Sequence, residues 1–504
     1  MLSSEYNPTF RAPQTLSEAL QFLDIVGQLD ESSLEKDKPV KLYCSSFAME
    51  AKSHWIAVYM LLRENHCFNL IASVGSSLTG LSGSTATFWR TVLQGGDPIW
   101  VPRSSVMLSS SSISWAAGGM AAYTPSGYSH SSSHRIEDLC LPPIEIKLSN
   151  GCTAVVFGVL DGHGGRECAI FFADRVPSYI ESVLSTHLSH NDTNRIPFPS
   201  TTVQTHLKSS LIAGLQKLDQ EFCDIRIRQL KAMHVPDDGS TMSLVVVVDG
   251  WWMVSLHIGD SRTIVMNETR LTFCSKDHSV ARLDKARVIQ RAGGCFGYRK
   301  KKHGKPSEVV EIVPDLTKAY PNEFVACLQH SRVYRPQGFK TKMSGINRTK
   351  NMNMSDALGD VVMKNDPPLF ECVPDVSFVN LVESEYHILV ATDGLWGALD
   401  KTLTSEASQC ESIAKRLSEL MSNGGKKRQI LPVRLPQSTT NAFIPNSDNR
   451  MEDKRLTRSI VNFKAIGTNA DLRRICDEIV VSRRIENDYA DDIGMVLVRL
   501  TNPQ

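Results

Sequence analysis

The sequence predicts an α/β (α+β layered) fold with antiparallel sheets. Two observations carry this. Two long helical patterns follow one another, at 166–188 and around 207–225. Apolar runs of strand length then succeed one another through short polar turns. Connections that short cannot join parallel strands.

Residues 1–103 read as mixed structure. Trp55 to Leu62 and Cys67 to Val74 are short apolar runs in which a core strand and a buried helix segment look alike. Gly75-Ser-Ser-Leu-Thr-Gly80 begins like a phosphate loop, but Leu81 stands where the lysine belongs. Gly80-Leu-Ser-Gly-Ser84 fails the nucleophile-elbow pattern at its last position. Both read as ordinary Gly/Ser turns. Residues 104–134 are rich in Ser, Gly and Ala and read as a linker.

From residue 135 the character changes. Runs 144–147 and 153–160 are β-like and flank Ser149-Asn-Gly151, a hairpin signal. In the second helical pattern Leu207, Leu211, Leu215, Leu218, Phe222 and Ile225 recur every three or four residues and share one face. Strands follow at 242–248 and 252–258, joined through Asp249-Gly250, and then at 263–266. Two stretches read as insertions. Residues 297–354 are basic near their start, at Arg299-Lys-Lys-Lys302, and 422–469 are polar, with Gly424-Gly-Lys-Lys-Arg428. Basic runs of this kind are usually solvated loops, with a nuclear localisation signal the minority reading. The chain therefore divides into an N-terminal region 1–103 of unknown role, a Ser-rich linker 104–134, and a main domain 135–504 carrying both insertions.

Composition narrows the function classes. At 504 residues and 41% hydrophobic, the chain can bury a substantial core. Lys and Arg total 55 against 54 Asp and Glu, a net charge of +1, which gives no reason to expect nucleic acid as a partner. The 12 cysteines are scattered without a C-x-x-C pair and read as reduced, mostly buried thiols. No stretch reaches the ~18 to 20 apolar residues of a membrane span. The first 20 residues carry Glu5 and Glu18 against Arg11, too acidic for a good mitochondrial presequence. A cytoplasmic or nuclear location is expected, with mitochondria the weaker alternative.

The chemistry concentrates at strand ends. Val155-Val-Phe-Gly-Val-Leu-Asp-Gly-His-Gly-Gly165 delivers Asp161 at the end of an apolar run, and Gly162, Gly164 and Gly165 let the backbone approach a ligand closely. Alone, Asp-Gly after a strand is more often a turn than a metal site. The design recurs, however, in Ile388-Leu-Val-Ala-Thr-Asp393-Gly394 and in Ile258-Gly-Asp260-Ser-Arg262. Asp491-Asp492 precedes a strand at 493–500, and Glu137-Asp138 precedes a β-like region. Carboxylates converging on one sheet edge repel one another unless cations bridge them, and hard oxygen donors suit Mg2+ or Mn2+.

These segments resemble the ordered motifs of the PP2C (PPM-type) metal-dependent serine/threonine protein phosphatases. The resemblance runs from about Arg135 to Leu500. In order it comprises Glu137-Asp138, Asp161-Gly-His-Gly-Gly165, Gly239-Ser-Thr241, Gly259-Asp-Ser-Arg262, Leu271-Thr272 with Asp277-His278, Arg291-Ala-Gly-Gly294, Ser355-Asp-Ala-Leu-Gly-Asp360, Thr392-Asp-Gly-Leu-Trp396 and Asp491-Asp-Ile493. Each motif is weak; nine in the family's order are specific. The resemblance implies a central antiparallel β-sandwich flanked by pairs of α-helices, two or more Mg2+ or Mn2+ ions per chain, and phosphoprotein substrates. It also implies roles. Asp161 bridges two metals. The Gly162 carbonyl and Glu137 complete one shell, and Asp393 and Asp491 hold the other metal. Asp138 acts through water, and Asp260 joins Asp393 at a third, weaker ion. His163, otherwise readable as a turn histidine, protonates the leaving oxygen. A monomer is expected.

Four positions depart from the family pattern. The phosphate-gripping Arg four residues before the metal Glu is Ser133, with Arg135 nearby at a different spacing. Gly397 replaces an Asp after Gly-Leu-Trp, Asp492 replaces Asn, and Asp356 replaces an Arg. Two rival readings stay open: a pseudophosphatase scaffold on the same fold, which the presence of Asp161, Asp393, Asp491 and Glu137 disfavours, and a binding function carried by residues 1–130.

Overall fold

Each of two facing β-sheets has helices on its outer side. The structure is a computed structural model that describes residues 112–120, 136–149, 151–188, 197–232, 237–267, 270–302, 305–312, 331–334, 351–364, 367–396, 405–422, 465–486 and 492–501. All of these except Ile136 belong to one compact unit, residues 98–128 with 137–504.

The first half of that unit runs β1 (Ile113–Met120), β2 (Leu139–Lys147), β3 (Thr153–Leu160), β4 (Gly162–His163), α1 (Glu167–His187), α2 (Thr201–Ala232), β5 (Gly239–Ser240), β6 (Met242–Val248), β7 (Trp252–Ile258), β8 (Arg262–Asn267) and β9 (Arg270–Cys274). The middle holds α3 (Leu283–Arg291), β10 (Cys295–Lys302), β11 (Lys305–Ile312), β12 (Arg332–Tyr334), β13 (Asn351–Met352), β14 (Leu358–Gly359) and α4 (Val361–Lys364). The last part is β15 (Asp375–Asn380), β16 (Glu385–Ala391), α5 (Asp393–Trp396), α6 (Glu406–Ser422), β17 (Ile466–Gly467), α7 (Ala470–Glu486) and β18 (Ile493–Thr501).

One main sheet has the order β15-β7-β6-β3-β2 and the other β17-β1-β18-β16-β8-β9. Their pairings are antiparallel throughout. Strands buried on both faces read as continuous apolar runs, which is why Met-Ser-Leu-Val-Val-Val-Val of β6 lacks alternation yet is buried at every position. The turn from β6 to β7 has positive φ at both Asp249 (48°) and Gly250 (78°), the primed hairpin geometry that an Asp-Gly pair encodes.

Side chains sort into three apolar layers. Phe157, Val159, Val245, Val247 and Met253 of the five-stranded sheet meet Val265, Ile388, Val390, Val496 and Val498 of the six-stranded sheet. The opposite face of the five-stranded sheet (Leu244, Val246, Leu256, Ile258) packs on α1 and α2 through Phe172, Val176, Leu207, Leu211 and Leu215. The outer face of the six-stranded sheet (Ile264, Leu389, Met495, Leu497) packs on α6 and α7 through Ile413, Leu417, Ile475 and Ile479. Each fully buried side chain of this size contributes roughly 1.5–3 kcal/mol. The result is the sandwich flanked by helix pairs that the resemblance implies.

Two expectations need correcting. The span 104–134, read as a linker, contains β1, which pairs with β18 along all eight of its residues, from Ile113↔Leu500 to Met120↔Ile493. Its Ala116 and Ala117 are fully buried; small residues let β1 fit between β17 and β18 without the bulky alternation that announces a strand. The span 297–354, read as loop, contains most of a four-stranded sheet, β11-β10-β12-β13, and the basic run Arg299 to Lys302 lies on β10. Most of 422–469 lies outside the described residues.

Register brings the chemistry to one end of the sandwich. Val159↔Ser243 and Met242↔Ile258 align the ends of β3 and β7, and Ala391 meets both Arg262 and Met495. Asp161, Asp260, Asp393 and Asp492 stand at those ends.

Candidate active site

Asp161 leaves the end of β3 with its backbone held on both sides. Thr241 N donates to its carbonyl at 2.8 Å, Ser240 Oγ donates to the same oxygen at 3.1 Å, and its own N–H donates to Thr241 Oγ1 at 3.3 Å. Gly239-Ser-Thr241 is therefore a clamp on the aspartate. Gly162 pairs with Ser240 in β4, and a Cβ on it would stand 2.6 Å from the Glu137 carbonyl. That close approach brings the Glu137-Asp138 corner against Asp161.

Asp393 follows β16 and is fixed through its neighbour Thr392. Thr392 N donates to Gly494 O at 2.9 Å, Gly494 N donates to Thr392 Oγ1 at 2.8 Å, and Thr392 Oγ1 donates to Asp138 Oδ2 at 2.8 Å. Glu137 N donates to Asp492 Oδ2 at 2.9 Å. Asp138, 2% exposed, thus steadies the Thr392-Asp393 turn directly. A Cβ on Gly394 would lie 1.9 Å from Asp492 O, so only glycine fits after Asp393.

Asp260 follows β7. Its Oδ2 accepts from Asn353 Nδ2 at 3.2 Å, while Oδ1 is buried without a hydrogen-bond partner. Burial, then the Asp277 charge, push its carboxyl up to about 6. Below it Arg262 grips Asp277 with two bonds, Nε–Oδ1 at 2.6 Å and Nη2–Oδ2 at 2.7 Å, and donates to Gln409 at 2.7 Å. The Asp-Ser-Arg and Asp-His motifs therefore brace one another.

Asp161, Asp260 and Asp393 bring one carboxylate oxygen each to within 4.8 Å of one another, all three partly exposed. Three hard oxygens from three strand ends repel unless a cation lies between them. They fit an oxygen-preferring divalent ion. The Glu137 carboxylate is not among this group, although its backbone is adjacent.

His163, two residues after Asp161, is held by a residue whose role the motifs did not reveal. Its Nε2 lies 3.0 and 2.9 Å from the two oxygens of Asp360. Asp360 is fully buried, while the His163 side chain is 24% exposed. The pairing arises because β4, β5 and β14 form a small sheet of order β14-β5-β4. Gly239 lies between, and a Cβ there would stand 2.4 Å from the Asp360 carboxyl carbon. The available signal was Gly359-Asp360 itself: both residues adopt positive φ, 68° and 54°, a strained turn of the sort that aims a side chain. Asp356, where the family has Arg, is buried. It accepts from Cys372 N at 2.9 Å, Val373 N at 3.1 Å and Lys285 Nζ at 2.9 Å, a structural hub. Asp491, Arg135, Ser133 and Gly397 lie outside the described residues.

The protein phosphatase 2C family model matches residues 129–422. The Oryza sativa subsp. japonica protein "Probable protein phosphatase 2C member 13, mitochondrial" is 23% identical over 292 residues, 57% of this chain and 61% of that protein. "Probable protein phosphatase 2C 52" of the same organism is 30% identical over 139 residues, 28% of this chain and 24% of that protein. The chain thus spans less than two thirds of either relative. The crystal structure of serine-threonine phosphatase 2C from Toxoplasma gondii aligns over 77% of this chain and 99% of that chain, at 16% identity and a TM-score of 0.42, too loose to bear on the site. Among the described residues no helix is long and apolar enough to cross a membrane.

Proposed function

The chain belongs to the protein phosphatase 2C family, and on that premise we propose that it hydrolyses phosphoserine and phosphothreonine in phosphoproteins at the Asp161–His163 end of the sandwich. The observation that supports this most is the meeting of Asp161, Asp260 and Asp393 beside a histidine fixed by a buried carboxylate. Asp161 and Asp393 would hold Mg2+ or Mn2+, two or more per chain. Asp260 is the weaker, third-ion ligand, and Glu137, Asp491 and the Gly162 carbonyl are further ligands on the strength of the family resemblance. Bound there, the ions supply charge neutralisation for phosphoryl oxygens and acidify a water for in-line attack.

The chain's own residues do the rest. Thr241 holds the Asp161 backbone, and Thr392, bonded to Asp138, holds the turn that carries Asp393, so both aspartates project from fixed backbone positions. Asp360 takes His163 Nε2, which leaves Nδ1 as the nitrogen that hands a proton to the departing serine or threonine oxygen. The anionic partner stabilises the imidazolium that donates, and fixes the ring plane before substrate arrives. Arg135 is the candidate grip on the phosphate oxygens. No cysteine or serine nucleophile is required. Because β1 pairs with β18 along its length, the catalytic unit would extend back to Ile113.

The test is phosphate release from a phosphothreonine peptide by the purified full chain with millimolar Mn2+. Turnover is expected, and excess chelator abolishes it. A folded protein that releases no phosphate with Mn2+ or Mg2+ would instead be the scaffold without turnover.

A further inference from the structure

Two buried histidines outside the carboxylate site have ring nitrogens without a hydrogen-bond partner, although His278 Nε2 faces the Asp375 carboxylate. His257 lies on β7, where Leu256 and Ile258 face the helices and Met253 faces the opposite sheet, so alternation turns His257 toward the interior of the sandwich. It is 2% exposed and its Nε2 has no hydrogen-bond partner. The ring's other nitrogen is taken by the Lys276 backbone, which leaves the Nε2 lone pair free. His278, at 0% exposure, has no hydrogen bond at either ring nitrogen. The rings meet edge-on with centroids 4.8 Å apart. Asp375 sits directly across from His257 in the β7–β15 register, and its Oδ2 is 3.6 Å from His278 Nε2.

We propose that His257, His278 and Asp375 form a second metal site, for one zinc-class cation (Zn2+, Co2+ or Ni2+), distinct from the oxygen-only cluster of Asp161, Asp260 and Asp393. One donor atom from each of the three lies within 4.8 Å of the others. Ligands ~2.0–2.1 Å from a tetrahedral zinc stand about 3.3 Å from one another, so the His278–Asp375 spacing is already close and the cluster has only to contract. Two imidazoles and one carboxylate favour borderline metals over Mg2+. The Lys276 carbonyl on His257 is the outer partner that fixes a ligating imidazole.

At His257 no proton competes. Burial, then the neighbouring His278, hold His257 down to about 3, so it is neutral at pH 7. Burial works against the Asp375 charge, but His278 and Arg282 outweigh it and keep its carboxyl well below the usual range. Arg282 donates to Asp375 Oδ2 at 2.6 Å and also pairs with Asp284. Its guanidinium opposes any cation, so affinity has to come from the imidazoles, which again selects against Mg2+. Access is through Asp375, whose side chain is 38% exposed on the edge strand β15.

The test uses the full chain, stripped with chelator and titrated with Zn2+ in millimolar Mg2+, with retained zinc counted after gel filtration. One equivalent is expected in the wild type and in Asp393→Asn. His257→Gln should weaken zinc binding at least about 10- to 100-fold, since even outer-partner losses reach that range. Asp375→Asn, a milder change on a part-exposed side chain, should weaken it in the same direction. Co2+ should give a tetrahedral visible band that persists in Asp393→Asn and disappears in His257→Gln. A wild type that retains no zinc overturns the proposal, whether or not the protein is a phosphatase. So does unchanged zinc affinity in both folded variants.

Discussion

Asp360→Asn is the substitution that isolates how His163 works. The variant keeps the shape of the side chain, and Asn tolerates the positive φ of 54° at this position as well as Asp does, so the β14–β5–β4 corner should survive. What it removes is a negative charge 2.9 Å from His163 Nε2 in a fully buried setting. A hydrogen bond to a charged group contributes about 1.5–3 kcal/mol. At 1.36 kcal/mol per tenfold in rate, that predicts a kcat loss of about 10- to 150-fold on a phosphoserine peptide. The loss should be far smaller on p-nitrophenyl phosphate, because nitrophenolate leaves without a proton while a serine alkoxide needs one. His163→Gln should show the same selectivity, more strongly. The assay is steady-state kinetics on both substrates at matched metal concentration, with circular dichroism to establish folding. Equal losses on the two substrates, or an undiminished phosphopeptide rate, would refute the general-acid assignment and leave His163 as a structural residue.

Three further outcomes follow from the geometry. Gly394→Ala puts a methyl 1.9 Å from Asp492 O, so it should destabilise the fold by at least about 1–3 kcal/mol, read as a lower Tm, and lower activity by displacing Asp393. His387 is buried on β16 and its pKa is depressed mainly by burial. The stability it contributes is therefore present above the ordinary histidine range and lost as pH falls through and below that range, where the unfolded chain takes the proton. His387→Gln should flatten the fall in Tm between pH 7 and pH 5, and an unaltered slope would count against this. Arg135→Ala should raise KM for phosphopeptide severalfold or more, consistent with ~1.5–3 kcal/mol for a charged hydrogen bond, and an unchanged KM would move the phosphate grip elsewhere.

The site was legible where chemistry coincides with local pattern. An apolar run ending in Asp-Gly announces itself, which is why Asp161 and Asp393 could be named, and the runs 242–248 and 252–258 match β6 and β7 residue for residue. Asp360 lies within a recognisable motif, but its task is hidden in the sequence, because its partner lies 197 residues away and only the register of three two-residue strands joins them. The His257–His278–Asp375 cluster is invisible for the same reason: a strand, a loop and an edge strand contribute one residue each. β1 escaped because Ile-Ser-Trp-Ala-Ala-Gly-Gly-Met, set among serines, has too little side chain to advertise a strand, and its place is decided by β18. Charge alone makes the basic run Arg299 to Lys302 look like a loop, but backbone pairing with β11 decides its conformation.

The central claim is that charge bridging among Asp161, Asp260 and Asp393 supports catalysis. Its most direct test is to measure Mn2+ binding by electron paramagnetic resonance together with phosphate release from a phosphothreonine peptide. Both are measured on the chelator-stripped full chain, in wild type, Asp161→Asn and Asp393→Asn. The wild type should bind two or more Mn2+, with turnover rising as they load. Both variants should fold, bind fewer ions and lose at least about a hundredfold in turnover, since several kcal/mol of transition-state stabilisation goes with the metals. Wild-type rates from a folded Asp161→Asn protein, or full turnover in excess chelator, would contradict the account.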